Sequence, residues 1–192
     1  MKRIAIATCL LCILLYSSSV FGATFDFDGY LDYHNDIATF SFTLDNDATN
    51  IRVWTDSYDN GANFDPITAL WTASGDLISE NDDNRNINPS TQTVFDSGFN
   101  LAALNAGDYL FTIASYYNFA NGNSLSDGFR FDNDTPIPID VWSGSGYYHV
   151  VFDGVDGAAN TNTNPVPEPA TMVLLGSGLL GLAGVSRKKH KK

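Results

Sequence analysis

Between Ile4 and Arg187 the 192-residue chain contains no lysine, and after Cys12 it contains no cysteine. Without thiols, whatever folds beyond that point must be stable on its core alone, with neither disulfides nor thiolate-bound metal. Arginine is nearly as scarce: from residue 23 to 164 the cations are Arg52, Arg85 and Arg130, against all of the chain's 22 acidic residues except Glu168, a balance of −18. Such a charge excludes nucleic acid and anionic lipid as partners, because both are repelled. It allows divalent cations and keeps a folded domain soluble. Also missing are helical periodicity and long apolar runs anywhere but the two ends. His34 and His149 stand far apart with no HExxH spacing, and Gly144-Ser145-Gly146 is too short for a nucleophile elbow, so no zinc hydrolase or serine hydrolase pattern is present.

What is present begins at the ends. Lys2 and Arg3 precede an apolar stretch from Ile4 to Tyr16, followed by Ser17-Ser18-Ser19 and small residues. This is the layout of a secretory signal peptide, expected to span 1–22 with cleavage after Gly22. At the other end Pro165-Val166-Pro167-Glu168-Pro169 leads into an apolar run from Ala170 to Val185 and then Arg187-Lys188-Lys189-His190-Lys191-Lys192. Sixteen residues rise about 24 Å as a helix, short of the roughly 30 Å hydrocarbon core. Gly176, Gly178, Gly181 and Gly184 weaken that helix further, by about 1 kcal/mol each relative to Ala. The basic end would be retained on the cytoplasmic face, leaving the rest of the chain outside. An ordinary tail anchor is one reading of this segment.

The order of parts resembles the PEP-CTERM sorting signal of Gram-negative bacteria, with Pro167, Glu168 and Pro169 as its signature, the Gly/Leu-rich helix through Leu182 and the basic terminus from Arg187. The resemblance implies export, transient inner-membrane association through the tail, cleavage near Pro-Glu-Pro by an exosortase-type enzyme, and transfer to the cell surface or extracellular polysaccharide matrix.

The chain between the two ends divides into a domain at 23–155 and a Gly/Asn-rich linker at 156–164. The domain is long enough to bury about two-thirds of its unfolded surface. Ile37 to Leu44 places Ala38, Phe40, Phe42 and Leu44 on one face, the period-two pattern of a half-buried strand. Further strands are expected at Phe25 to Tyr30, Ile51 to Thr55, Ile67 to Thr72, Thr91 to Ser97, Tyr109 to Ala114, Phe129 to Phe131 and Tyr147 to Phe152. Ser74-Gly75-Asp76 is expected to turn a hairpin, and Asn121 to Ser145 to form a long loop or a pair of edge strands. The expected fold is all-β, an antiparallel β-sandwich of jelly-roll type, followed by a single hydrophobic helix in the tail.

Asp56, Asp59, Asp65, Asp82 and Asp83 lie in Asp/Asn-rich stretches that form a calcium site if their loops meet, since Ca²⁺ takes 6 to 8 oxygens from flexible loops. The alternative is that these residues are turn formers. Trp54 and Tyr117 are candidates for sugar stacking, although aromatic residues of a sandwich more often fill its core. Carboxylate pairs such as Asp82 with Asp83, or Asp56 with Asp65, have the chemistry of a glycosidase, but neighbours on a strand face opposite ways. No enzymatic activity is expected.

The series Thr55 to Tyr58, Gly61 to Pro66, Leu70 to Gly75 and Asn81 to Asn84, continued by Asp96-Ser97-Gly98, Leu104 to Tyr109 and Asp127-Gly128-Phe129, resembles an exported bacterial family that often carries a PEP-CTERM tail. More distantly it is similar to bacterial pre-peptidase C-terminal domains, which are non-catalytic β-sandwiches, some binding calcium or polysaccharide. Two functions follow as expectations: a structural or adhesive component of the surface or biofilm matrix, and a calcium-assisted polysaccharide-binding module.

Overall fold

The computed structural model describes residues 22–162. The expected signal peptide, apart from Gly22, and the expected tail helix lie outside the described residues. Nine strands form: β1 Ala23–Tyr30, β2 Ile37–Leu44, β3 Ala48–Thr55, β4 Pro66–Thr72, β5 Leu77–Asn81, β6 Gly98–Leu104, β7 Gly107–Ser115, β8 Tyr147–Val155 and β9 Gly157–Asn160. A single helical turn, α1 Ile139–Trp142, interrupts the loop before β8. One sheet has the order β1-β8-β3-β6 and the other β5-β4-β7-β2-β9, with every named pairing antiparallel. The pairs β1 with β8, β2 with β7, β3 with β6 and β4 with β5 are nested, as in one long hairpin rolled over on itself. The result is a two-sheet sandwich.

Strict alternation builds the interface between the sheets. In β2 every second residue, from Ala38 to Leu44, is buried, and these side chains meet Phe111 and Ile113 of β7 and Val150 and Phe152 of β8. β4 departs from alternation and is buried on both faces. Leu70 enters the central core, while Ala69 and Trp71 on the opposite face pack under Phe129. The loop from 116 to 130 makes this possible by running back along the sheet, where Leu125 donates its amide to the Gly75 carbonyl and Leu77 donates to Asn123. On the other sheet Ile87 plays the same part over Trp54 and Val151.

Chain connections are unequal at the two ends. At one end β2–β3, β4–β5, β6–β7 and β8–β9 are joined by one to four residues. At the other lie the segments 31–36, 56–65, 82–97 and 116–146, together with the exit of the chain after β9. All the long loops therefore crowd one end, where loops held by a rigid scaffold commonly carry function.

Three sequence expectations are corrected. Thr91 to Ser97 is not a strand: the Asp96 carboxylate is fully buried and accepts from the Thr93 amide and hydroxyl at 2.6 and 2.9 Å and from the Tyr58 amide at 3.1 Å, curling the segment into a turn. The strand starts afterwards, at Gly98, where a Cβ would lie 2.2 Å from the Val53 carbonyl oxygen, so only glycine allows β6 to approach β3 so closely. Phe129 to Phe131 contributes an isolated bridge, Ala120 to Phe129, because its backbone serves the returning loop. Finally, the expected linker 156–164 begins with strand. Gly157–Asn160 pairs with β2, and Thr161 donates its amide to the Thr39 carbonyl at 2.9 Å. Small side chains gave that segment no apolar pattern, but the free backbone edge of β2 needs none.

Hydrogen exchange tests this correction. The amides of Asp156 and Thr161, bonded to Thr43 and Thr39, are expected to exchange slowly. Exchange of both at the rate of an unstructured peptide would restore the linker.

Candidate functional site

Three carboxylates meet at the long-loop end. Asp65 directly precedes β4, and Asp82 and Asp83 directly follow β5, so pairing of these two strands brings the segments together. One ligand oxygen from each of Asp65, Asp82 and Asp83 lies within 4.8 Å of the others. Asp65 Oδ1 and Asp82 Oδ1 are buried and have no hydrogen-bond partner, whereas buried polar atoms are normally paired. Burial first, and then repulsion from Asp82, Asp83 and Asp96, pushes the Asp65 carboxyl up to about 7. Asp82 is raised by burial and by its neighbours Asp83 and Glu80, and Asp83 by burial. The charges of Asp65 and Asp82 are thus held where they are partly desolvated and repelled by neighbouring carboxylates, while Asp83 is exposed.

The other two candidates are elsewhere. Asp56, just past β3, lies beside His149 of β8, with Oδ1 2.5 Å from the imidazole Nδ1. Burial acts to raise the Asp56 carboxyl, but its hydrogen bonds and His149 bring it below its ordinary value. Its bond to Asp56 raises the His149 imidazole, against partial burial, and Asp28 and Asp26 add to the rise. Asp59 is exposed on the 3-10 turn Asp59–Gly61 and does not join the trio. His149 is therefore not isolated, as its sequence position implied. Its partner is 93 residues away, and no local pattern could have revealed the pair. His34 is also engaged: it is buried, stacks on Phe131 with ring centroids 5.1 Å apart, and accepts the Ile137 amide at Nδ1.

The two sugar-stacking candidates part company. Trp54 is 5 % exposed beneath Ile87, with the Arg52 guanidinium 5.3 Å from its ring, so its faces are taken. Arg52 is itself held by Asp153. Tyr117 is 41 % exposed, 5.1 Å from the equally open Tyr116 ring, with Arg130 over one face at 4.1 Å. The Tyr116 amide donates to the Asp65 carbonyl at 2.8 Å, which joins the backbone of this aromatic pair to that of Asp65. Pro167, Glu168 and Pro169 lie outside the described residues. Sequence reading did not foresee that Trp142 joins the Tyr116–Tyr117 pair through its indole Nε1, which donates to the Tyr116 carbonyl at 3.1 Å. It also missed Asp96 as the buried tie between the 55–58 and 93–97 segments.

These shifts set a pH profile for the metal-free protein. Asp65 is raised from an unfolded value of 3.8 to about 7, so the stability linked to its proton is full below 3.8 and is lost as pH rises through about 7. His149, also raised, acts in the same direction above its unfolded value of 6.5. Asp56 and Asp153 are lowered, and their contribution is lost only as pH falls below 3.8. In chelator, unfolding free energy is expected to increase from pH 8 to pH 5, with a flatter profile in Asp65→Asn. Denaturant titrations that show stability falling over that interval would contradict the geometry of the trio.

Among the described residues no helix is long and apolar enough to cross a membrane. No curated protein and no solved structure gave a significant match to the chain. Residues 165–188 match the PEP-CTERM protein-sorting motif, which marks an exported protein sorted by an exosortase in Gram-negative bacteria.

Proposed function

We propose that the sandwich is a non-catalytic structural or adhesive module of the cell surface or extracellular matrix, its long-loop end organised by Ca²⁺ on Asp65, Asp82 and Asp83. The observation that carries the cation is that one oxygen from each of Asp65, Asp82 and Asp83 lies within 4.8 Å of the others, while Asp65 Oδ1 and Asp82 Oδ1 are buried without a hydrogen-bond partner. An all-oxygen donor set on loops suits a hard cation of flexible geometry, and the three carboxylates leave positions for water or a ligand.

Calcium that binds only the folded state stabilises it by about 2.7 kcal/mol at a hundredfold excess over Kd, a rise of several degrees in Tm for a domain of this size. Asp65→Asn is expected to raise Tm in chelator, by removing a repelled charge, and to abolish the calcium response. An unchanged Tm at millimolar Ca²⁺ removes the metal from the proposal.

The second reading, a calcium-assisted polysaccharide-binding module, is favoured by the exposure of the Tyr116 and Tyr117 rings at the same end of the sandwich, where the Tyr116 backbone is bonded to that of Asp65. Aromatic faces stack on the apolar faces of sugar rings. Pull-down with matrix polysaccharide is expected to fall several-fold in Tyr117→Ala with unchanged melting, whereas Trp54→Ala is expected to lower Tm because that ring is core. Equal retention of Tyr117→Ala and the parent chain would leave the structural role alone.

A further inference from the structure

The chain leaves the sandwich at its long-loop end and is bonded there to the last residue described. Asn162 donates from Nδ2 to the Ile37 carbonyl at 2.7 Å and accepts at Oδ1 from the Thr39 amide at 3.0 Å. Only Thr163 and Asn164 separate this anchor from the sorting motif at 165, and Ala170, the first residue of the apolar run, is eight residues on. Eight residues reach at most about 29 Å even when fully extended. An eight-residue strand is about 27 Å long. With the apolar run in a bilayer, the long-loop end is held within roughly one strand length of the lipid surface.

That end carries an exposed aromatic surface close to the exit. β2 begins at Ile37, opposite Ala114, so the Tyr116–Tyr117 pair emerges at the same end of the sheet as the carbonyl that Asn162 binds. α1 is anchored by buried Ile139 and by the bond from Trp142 to Tyr116, which leaves Val141 74 % and Trp142 40 % exposed. Tyr33, 43 % exposed, is bridged to Pro138 at the start of α1. Tyr and Trp, apolar in body and polar at one edge, are the residues that favour the headgroup layer of a membrane. Exposed Asp32, Asp132, Asp134 and Asp140 surround them and oppose an anionic surface.

We infer that the face formed by Tyr33, Tyr116, Tyr117, Val141 and Trp142 rests on the headgroup layer of a zwitterionic bilayer while the sorting tail is still inserted, seating the domain loop-end down beside the processing enzyme. The inference rests on the reading that the tail passes through a membrane stage. Five side chains bind lipid weakly on their own. A short tether turns that contact into an intramolecular one at millimolar effective concentration. Removal of the tail abolishes the tether, releases the face and uncovers the rings.

The chain's three tryptophans make the test specific, because Trp54 and Trp71 are buried and Trp142 is open. Full-length protein is reconstituted into phosphatidylcholine vesicles with ordinary or brominated acyl chains, and flotation checks insertion. Loss of tryptophan emission in the brominated vesicles is expected, absent in Trp142→Phe and largely reversed in Val141→Asp, a surface change that leaves Tm unaltered. Added phosphatidylglycerol is expected to weaken quenching. Protein that floats with unquenched emission overturns the docking while leaving the tail reading intact, and protein that does not float overturns both. Failure to quench in bilayers, together with protection of Trp142 from acrylamide by matrix polysaccharide, assigns the rings to sugar instead. Quenching that grows with anionic lipid overturns the zwitterionic assignment.

Discussion

Phe152 is the joint on which the sandwich depends. Its ring lies 5.5 to 6.0 Å from those of Phe27, Phe40, Phe42 and Phe111, so residues from both sheets meet at one side chain of β8. Side chains of a strand alternate, and a shift of one residue would send Phe152 to the surface and His149 into the core. Locking Phe152 inward therefore turns His149 outward, where it meets Asp56. It also holds β8 in register with β1 on one side and β3 on the other. Among the described residues, which include no cysteine, this clustering of rings contributes to the specificity of packing.

The nested pairing has a second consequence. Tight turns close one end of the roll, while the connections at the other end must span wider gaps or fold back over the sheets. Those returning loops bury Trp54 and Trp71 from outside and give the two sheets partly covered outer faces. They also gather the carboxylate trio, the open aromatic surface and the chain exit at one end of the molecule. Asp96 helps to hold this end together by accepting bonds from donors in the 55–58 and 93–97 segments. A buried carboxylate with four donors differs sharply from Asp65, whose Oδ1 has none.

Charge explains why the same residue type plays such different parts. With three arginines and a balance of −18 from residue 23 to 164, most aspartates have no cation available. Arg52 serves Asp153, and His149 serves Asp56. The trio near β4 and β5 is left to repel itself, which is the condition under which an external divalent cation is most favoured.

Much of this was legible in the sequence because it rests on short-range pattern. Alternation in Ile37 to Leu44 identified β2 with its bounds, and export followed from the order of parts in the sorting motif. β9 was not legible, since Gly157-Ala158-Ala159-Asn160 pairs through its backbone and shows no side-chain pattern. Nor could the sequence separate the five candidate aspartates: Asp56 and Asp65 are nine residues apart, yet one faces a histidine and the other two carboxylates. Likewise Trp54 and Trp142 differ in exposure only because Ile87 covers the first and a single helical turn displays the second. Periodicity and motif order act along the chain and determined the fold class and export. Which charges converge, which rings face water and where the tail departs depend on strand register and returning loops, contacts between residues tens of positions apart that only the folded sandwich brings together.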